Sequence, residues 1–325
     1  MPELKPALLP ALMPFLHDTP EFPLLLGVLA KQRELNPFLV EKDYWLMHCL
    51  WGLQQQRWSF QLKGGTSLSK GYQLIQRFSE DIDVRFDPPA ELKVKAGKNH
   101  DKPAHQASRK RFFDWLAEHI SIPGLLAVER FTEFDDAKGR NAGIRLIYPV
   151  PAGDLPGLKD GILLEVGFDD TAPNAPCTIS SWALDAALQA NMAVIDNRAV
   201  GVYCYSPAYT FVEKLQTVST KFRLQQEATR FPKNFLRHYY DIYCLLASPE
   251  VQAFIGTPTY HARKVERFRA GDNLHIASNE AFLLNDPAVR SFYETKYRET
   301  AALYYAGQVP FSAILERIAQ HLDRL

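Results

Sequence analysis

Apolar and aromatic residues recur every three to four positions over 38–53: Phe38, Val40, Tyr44, Trp45, Met47, His48 and Trp51. The spacing predicts a largely buried helix, capped by Asn36 and entered through Pro37. Trp58-Ser59-Phe60-Gln61-Leu62 then alternates at period two, as a half-buried strand does, and runs straight into Lys63-Gly64-Gly65-Thr66-Ser67. Leu68, Tyr72 and Ile75 fall at i, i+4 and i+7, which predicts a short helix over 67–77. The run Asp81-Ile82-Asp83-Val84-Arg85-Phe86 alternates again, with Ile82, Val84 and Phe86 on one face and Asp81, Asp83 and Arg85 on the other. Two more strands, over 143–148 and 161–168, flank a proline and glycine turn at 149–158 and are expected to pair as a hairpin.

After Pro207 the period turns helical over 211–224, 232–246 and 282–308, with a final helix near 310–325. The expected fold class is therefore α+β: a sheet with flanking helices, then a C-terminal helical bundle. A boundary between 200 and 207 gives two domains, 1–205 and 206–325, each of ordinary domain size. Residues 91–111 carry Lys93, Lys95, Lys98, Lys102, Arg109, Lys110 and Arg111 with two histidines and almost no large apolar group. This segment reads as an exposed basic connection. No internal repeat, coiled-coil heptad or low-complexity tract is present.

Composition narrows the class without naming a function. At 325 residues, 46% hydrophobic and 23% charged, the chain is expected to be globular, and a wholly disordered protein is excluded. Its 37 basic residues balance 37 acidic ones, which rules out a polybasic coat protein and makes any polyanion site local. Cys49, Cys177, Cys204 and Cys244 are far apart with no CxxC pair, so neither a zinc ribbon nor a disulfide framework is indicated, and a reducing cytoplasm is expected. Residues 1–20 contain prolines at 2, 6, 10, 14 and 20 and only Lys5 as a basic residue, a poor signal peptide. No apolar run approaches the ~20 residues needed to span a bilayer, so no membrane partner is expected.

Candidate chemistry concentrates between the glycine pair and the acidic strand. Gly64 and Gly65, between a strand and a helix, let backbone N–H groups turn toward an anion, with Thr66 and Ser67 opening the helix: a phosphate seat. A plain turn would look the same. Asp81 and Asp83 point to one side of their strand, close enough to share divalent cations, and such carboxylates repel unless neutralised. Without the turn they would read as a solvated strand face. Glu165 is a third acid, set inside Ile162-Leu163-Leu164-Glu165-Val166-Gly167-Phe168, where an unpaired charge costs several kcal/mol. If its strand lies beside that of Asp81 and Asp83, the three could hold two Mg²⁺ ions, with Mn²⁺ as an alternative. Asp169 and Asp170, at the strand end, are weaker candidates. Glu41, Lys42 and Asp43 either position the glycine turn or simply begin a buried helix.

The runs Glu41-Lys42-Asp43-Tyr44-Trp45-Leu46, Lys63-Gly64-Gly65-Thr66-Ser67-Leu68-Ser69-Lys70 and Arg77-Phe78-Ser79-Glu80-Asp81-Ile82-Asp83 resemble, in order and spacing, the AbiEii/AbiGii family of nucleotidyltransferase-like toxins. Ser206-Pro207-Ala208-Tyr209-Thr210-Phe211-Val212-Glu213-Lys214 and Arg237-His238-Tyr239-Tyr240-Asp241-Ile242-Tyr243 are similar to that family's later motifs, a helix with a lysine and a helix with an aspartate.

The resemblance implies a DNA polymerase β-type nucleotidyltransferase core, a toxin of a toxin–antitoxin or abortive-infection system, and a possible cognate antitoxin. It implies Mg²⁺-dependent transfer of a nucleoside monophosphate from an NTP to RNA, with the tRNA 3′ end as acceptor. On this reading Asp81, Asp83 and Glu165 hold metal, and Gly64, Gly65, Thr66 and Ser67 cradle phosphates. Lys214 and Asp241 belong to the nucleotide site, with Lys221, two turns from Lys214 on the same helix face, as a second triphosphate cation. By spacing alone, Arg237 and Asp241 would be an ordinary i,i+4 ion pair and the lysines a solvated face. Two rivals stay open: a metal-dependent nuclease using the same carboxylates, and a non-catalytic nucleotide- or RNA-binding protein on the same fold. Phosphorylation of Thr66 or Ser67 would repel a triphosphate.

Overall fold

The computed structural model describes residues 13–97, 99–150, 161–227, 231 and 235–325. Lys98, most of the turn expected at 149–158 and the expected helix start at 232–234 lie outside them.

A short entry helix, α1 (Phe22–Arg33), leads to α2 (Pro37–Gln55). The Asn36 side chain accepts from the Phe38 N–H and Pro37 occupies the first turn, the expected cap. Of the 19 residues of α2, 15 are buried, so it is a central element rather than a surface helix. Strand β1 (Phe60–Lys63) follows, then one turn of helix, α3 (Gly64–Thr66), that continues as a π-helical turn (Ser67–Gly71).

Here the expected helix over 67–77 is corrected. Gly71 approaches the sheet so closely that a Cβ would lie 2.8 Å from the Cys204 sulfur, and the Leu74 N–H returns to the Leu68 carbonyl. Leu68, on the π-helical turn, and Ile75, on the irregular strap that follows it, are both still buried, so the i, i+7 spacing reported packing and not one continuous helix.

Strand β2 (Asp81–Phe86) buries Ile82, Val84 and Phe86 and leaves Asp81, Asp83 and Arg85 half-buried, as its alternation predicts. Of the segment read as an exposed basic connection, 91–111, the second part instead opens α4 (Pro103–His119). Arg109 is wholly buried, donating to the carbonyls of Lys95, His100, Lys138 and Gly139, while Lys93, Lys95, Lys102, Lys110 and Arg111 remain exposed. One guanidinium fork thus donates to four loop carbonyls.

Strands β3 (Ala127–Phe131), β4 (Asn141–Ile147), β5 (Ile162–Gly167) and β6 (Asn174–Ile179) follow, with α5 (Trp182–Gln189) between β6 and β7 (Ala199–Tyr205). Among the described residues they form a seven-stranded mixed sheet in the order β3-β4-β5-β2-β1-β7-β6. The β4–β5 pair is antiparallel, as expected of a hairpin, and β5 then pairs with β2 in parallel.

The chain after β7 is helical: α6 (Pro207–Glu227), α7 (Arg237–Leu245), α8 (Pro249–Phe254), α9 (Pro258–Arg267), α10 (Glu280–Leu283), α11 (Pro287–Arg298) and α12 (Phe311–Ala319). The expected continuous pattern over 282–308 is broken at Leu284, which sits at φ 43, and restarts at the Asp286 cap with Pro287. These helices surround a second apolar core that also takes in Leu68 from the π-helical turn and Ile75 from the strap behind it. No helix among the described residues is long and apolar enough to cross a membrane.

Candidate functional site

The glycine turn is pinned to the acidic strand by its own side chains. The Thr66 hydroxyl donates to the Asp81 carbonyl at 2.6 Å and the Ser67 hydroxyl to the Gly64 carbonyl at 3.0 Å. Both residues are buried, so a kinase would have to open the turn to reach either hydroxyl. Gly64 sits at φ +72, and a Cβ there would lie 2.8 Å from Oδ2 of Asp83; at Gly65 it would meet the Ser79 hydroxyl at 2.7 Å. The backbone of the turn thus lies directly on the Asp83 carboxylate. Gly64→Ala is expected to cost about 1–2 kcal/mol and displace Asp83; a melt compared with a transfer assay checks it, and an unaltered rate would contradict the close approach.

Behind the turn, Asp43 of α2 is buried and paired with Lys70, and its other oxygen accepts the Trp182 N–H at 2.9 Å. Burial raises the Asp43 carboxyl above its ordinary range, against the opposing Lys70 charge. All three residues of the Glu41-Lys42-Asp43 run lie in the buried helix, and Asp43 also reaches the π-helical turn after the glycines through Lys70.

The third acid is set by strand register. Asp83 and Glu165 are direct partners on the parallel strands β2 and β5, with Asp81 opposite Leu163, so the two acidic positions are ~5 Å apart at the backbone on one sheet face. Asp83, Glu165 and Asp169 line a cavity of about 530 Å³ together with Lys63 and, from α6, Lys221. Asp83 pairs with Lys63 at 3.4 Å. Burial acts to lower the Lys63 ammonium, but Asp83, Glu213 and Asp169 outweigh it and hold it above its ordinary value. Asp169 is drawn to Arg267 at 3.3 Å.

Among the described residues no three Asp, Glu, His or Cys side chains are drawn into a ready-made ion cage. The donor set nevertheless suits a hard divalent cation: carboxylates on strands in register, on one face, against a turn that only glycine can make.

From α6 the cavity lining takes Gln216, Thr217, Thr220, Lys221 and Leu224, whereas neither Lys214 nor any residue of α7 is part of it. Asp241 is fully buried and accepts two bonds from Arg77, both at 2.7 Å, and one ion pair from Lys214 at 2.9 Å. Burial pushes its carboxyl up, but the Arg77 and Lys214 charges prevail and hold it well below the carboxylate range. The i,i+4 pair expected between Arg237 and Asp241 does not form. Arg77 takes the carboxylate with a bidentate fork, and Arg237 stands 3.7 Å from Glu80 instead, within electrostatic range of Asp81.

Lys214 and Lys221 do share one face of α6, and between their ammonium groups lies His238, 3.4 Å from each. Burial first, then Lys214 and Arg237, pulls the Lys221 ammonium down to about 8, against the attraction of Glu165. The unfolded chain then binds more protons than the folded one between about 8 and the ordinary 10.5, so Lys221 destabilises the fold below about pH 8 and less as pH climbs. Lys221→Met is expected to stabilise the protein by roughly 2 kcal/mol at pH 7, a gain that fades toward pH 10; denaturant melts at the two pH values check the sign.

Motif reading missed His238 and Lys63; Lys63 was legible only as the residue before the glycines. A glycine turn is thus seated on an Asp-x-Asp strand, with a third acid in register beside it and Lys63 and Lys221 on the same cavity. Residues 46–317 match the family described as nucleotidyl transferase AbiEii toxin, type IV toxin–antitoxin system. The chain belongs to that family and is a nucleotidyltransferase toxin. No curated protein and no solved structure matches it.

Proposed function

We infer that the protein moves a nucleoside monophosphate from an NTP to a hydroxyl of an RNA acceptor, the 3′ end of tRNA, and so arrests growth. The observation that carries this reading is the register of Glu165 with Asp83, which sets a third acid beside Asp83 on the cavity lining. Magnesium would be held by Asp81, Asp83 and Glu165 and would supply charge neutralisation on the triphosphate and a more acidic acceptor hydroxyl. The chain's own groups do the rest. Backbone N–H groups of the turn around Gly64 and Gly65, held by Thr66 and Ser67, seat the phosphates. Lys214, anchored by Asp241, and Lys221 offset charge that grows as the acceptor oxygen bonds to the α-phosphorus and pyrophosphate departs. The helical half, 206–325, acts as a bundle that completes the nucleotide cleft, and an antitoxin partner is expected.

Incubating the purified protein with total RNA and each α-labelled NTP in Mg²⁺ tests the reading. Label joined to a tRNA-sized product supports it; label on another RNA replaces the acceptor, and RNA shortened without label makes the protein a nuclease.

A further inference from the structure

His238 is the group in this site that no motif assigns. It follows Arg237 at the start of α7 and lies between two cations of α6: Lys214 Nζ is 3.4 Å from its Nδ1 and Lys221 Nζ is 3.4 Å from its Nε2. Burial and the flanking ammonium groups keep the imidazole neutral, with Asp241 the opposing charge and Arg77 a further repulsive one. A neutral imidazole has one lone pair and one N–H, whereas a charged lysine only donates. Both contacts therefore cannot be hydrogen bonds at once. Lys214 already has the Asp241 carboxylate at 2.9 Å, so the lone pair is worth more to Lys221, and the N–H is then turned on Lys214. The cluster is held one partner short.

An anion that takes over Lys221 relieves the mismatch, because the ring nitrogen facing Lys214 can then become the acceptor. Lys221 faces the cavity that Asp83 and Glu165 line, so the relieving anion arrives on the substrate side. We propose that His238 is a positioning residue for the nucleotide: wedged between Lys214 and Lys221, it sets the spacing of the two cations and hands Lys221 to the triphosphate when the nucleotide enters. This rests on the reading of the cavity as the NTP site.

The test is direct binding of non-hydrolysable α,β-methylene analogues of the four NTPs to the full chain with Mg²⁺, by calorimetry. His238→Ala is expected to weaken binding about tenfold, while His238→Gln, whose side-chain oxygen still accepts from an ammonium, stays within about threefold of wild type. In a Lys221→Met background the His238→Ala change is expected to have a much smaller effect, because the cation it hands over is gone and only its contact with Lys214 remains; a merely structural histidine would weaken both backgrounds equally. If His238→Ala fails to fold, His238→Asn, too short to span the two lysines, replaces it in the same comparison. Equal binding by wild type and variant, or full additivity with Lys221→Met, overturns the role of His238 alone. Wild-type protein that binds none of the four analogues removes the nucleotide site itself.

Discussion

Asp83→Ala is expected to abolish nucleotide transfer, with a loss of about a thousandfold or more, and to relieve growth arrest while leaving the fold intact. Asp83 stands where three features meet: the Gly64 backbone on its carboxylate, Lys63 at 3.4 Å and Glu165 on the neighbouring strand. Removing a carboxylate that would hold a divalent cation forfeits several kcal/mol of charge stabilisation in the transition state, and each 1.36 kcal/mol is tenfold in rate. The Lys63 pair is partly open to solvent, so its loss costs stability only about 0–1 kcal/mol. Asp81→Ala is expected to act in the same way. Labelled-NTP transfer and colony counts on induction read the outcome; a variant that still transfers, or that still arrests growth without transferring, would sink the catalytic assignment.

Asp241→Asn is expected to have the largest effect on stability, about 3–5 kcal/mol, because it strands two buried cations at once. Arg77 and Lys214 both lean on this carboxylate, and its own side chain has no solvent exposure. With a folded value held well below the ordinary carboxylate value of 3.8, its contribution is complete above that value and is lost as pH falls through the depressed one. The gap between wild type and variant is therefore expected to be flat from pH 5 to 8 and to close only in acid. Urea melts at pH 7 and pH 3 check both statements. The double variant Arg77→Met with Asp241→Asn is expected to recover part of the loss, since the worst stranded charge leaves with its partner. A double variant no better than the single one would show that the pair is not what holds this corner.

How much of this was legible beforehand follows from how local each signal is. The helix α2, the strands β1 and β2 and the β4–β5 pair announce themselves through side-chain period, because a buried face repeats every two or 3.6 residues whatever it packs against. The glycine turn and Asp81, Asp83 and Glu165 were legible as residue types. That β5 lies parallel to β2 was only a condition, since strand order depends on contacts between segments about 80 positions apart. The partner of Asp241 was read as Arg237, four residues back, and is Arg77, at a sequence separation of 164. Local spacing offers the near cation; burial selects the one whose fork fits. Arg109 was counted among exposed basic residues because charge says nothing about neutral carbonyl partners, and His238 went unread because its meaning lies in Lys214 and Lys221 on another helix.

The segment behind the glycine turn, which sends Leu68 and Ile75 into the second core and joins Arg77 to Asp241, has a practical corollary. A toxin cut at 205/206 would leave each fragment with half an interface, and the fragment bearing the acids would lose the core that covers Leu68 and Ile75 and the carboxylate that holds Arg77. Neither piece produced by itself is expected to harm a cell, whereas both supplied together would restore killing to the extent that they reassociate. Growth curves of the three strains would measure that, and a lethal single fragment would refute it; the same dependence would make the split chain a reporter for any two proteins fused to its halves.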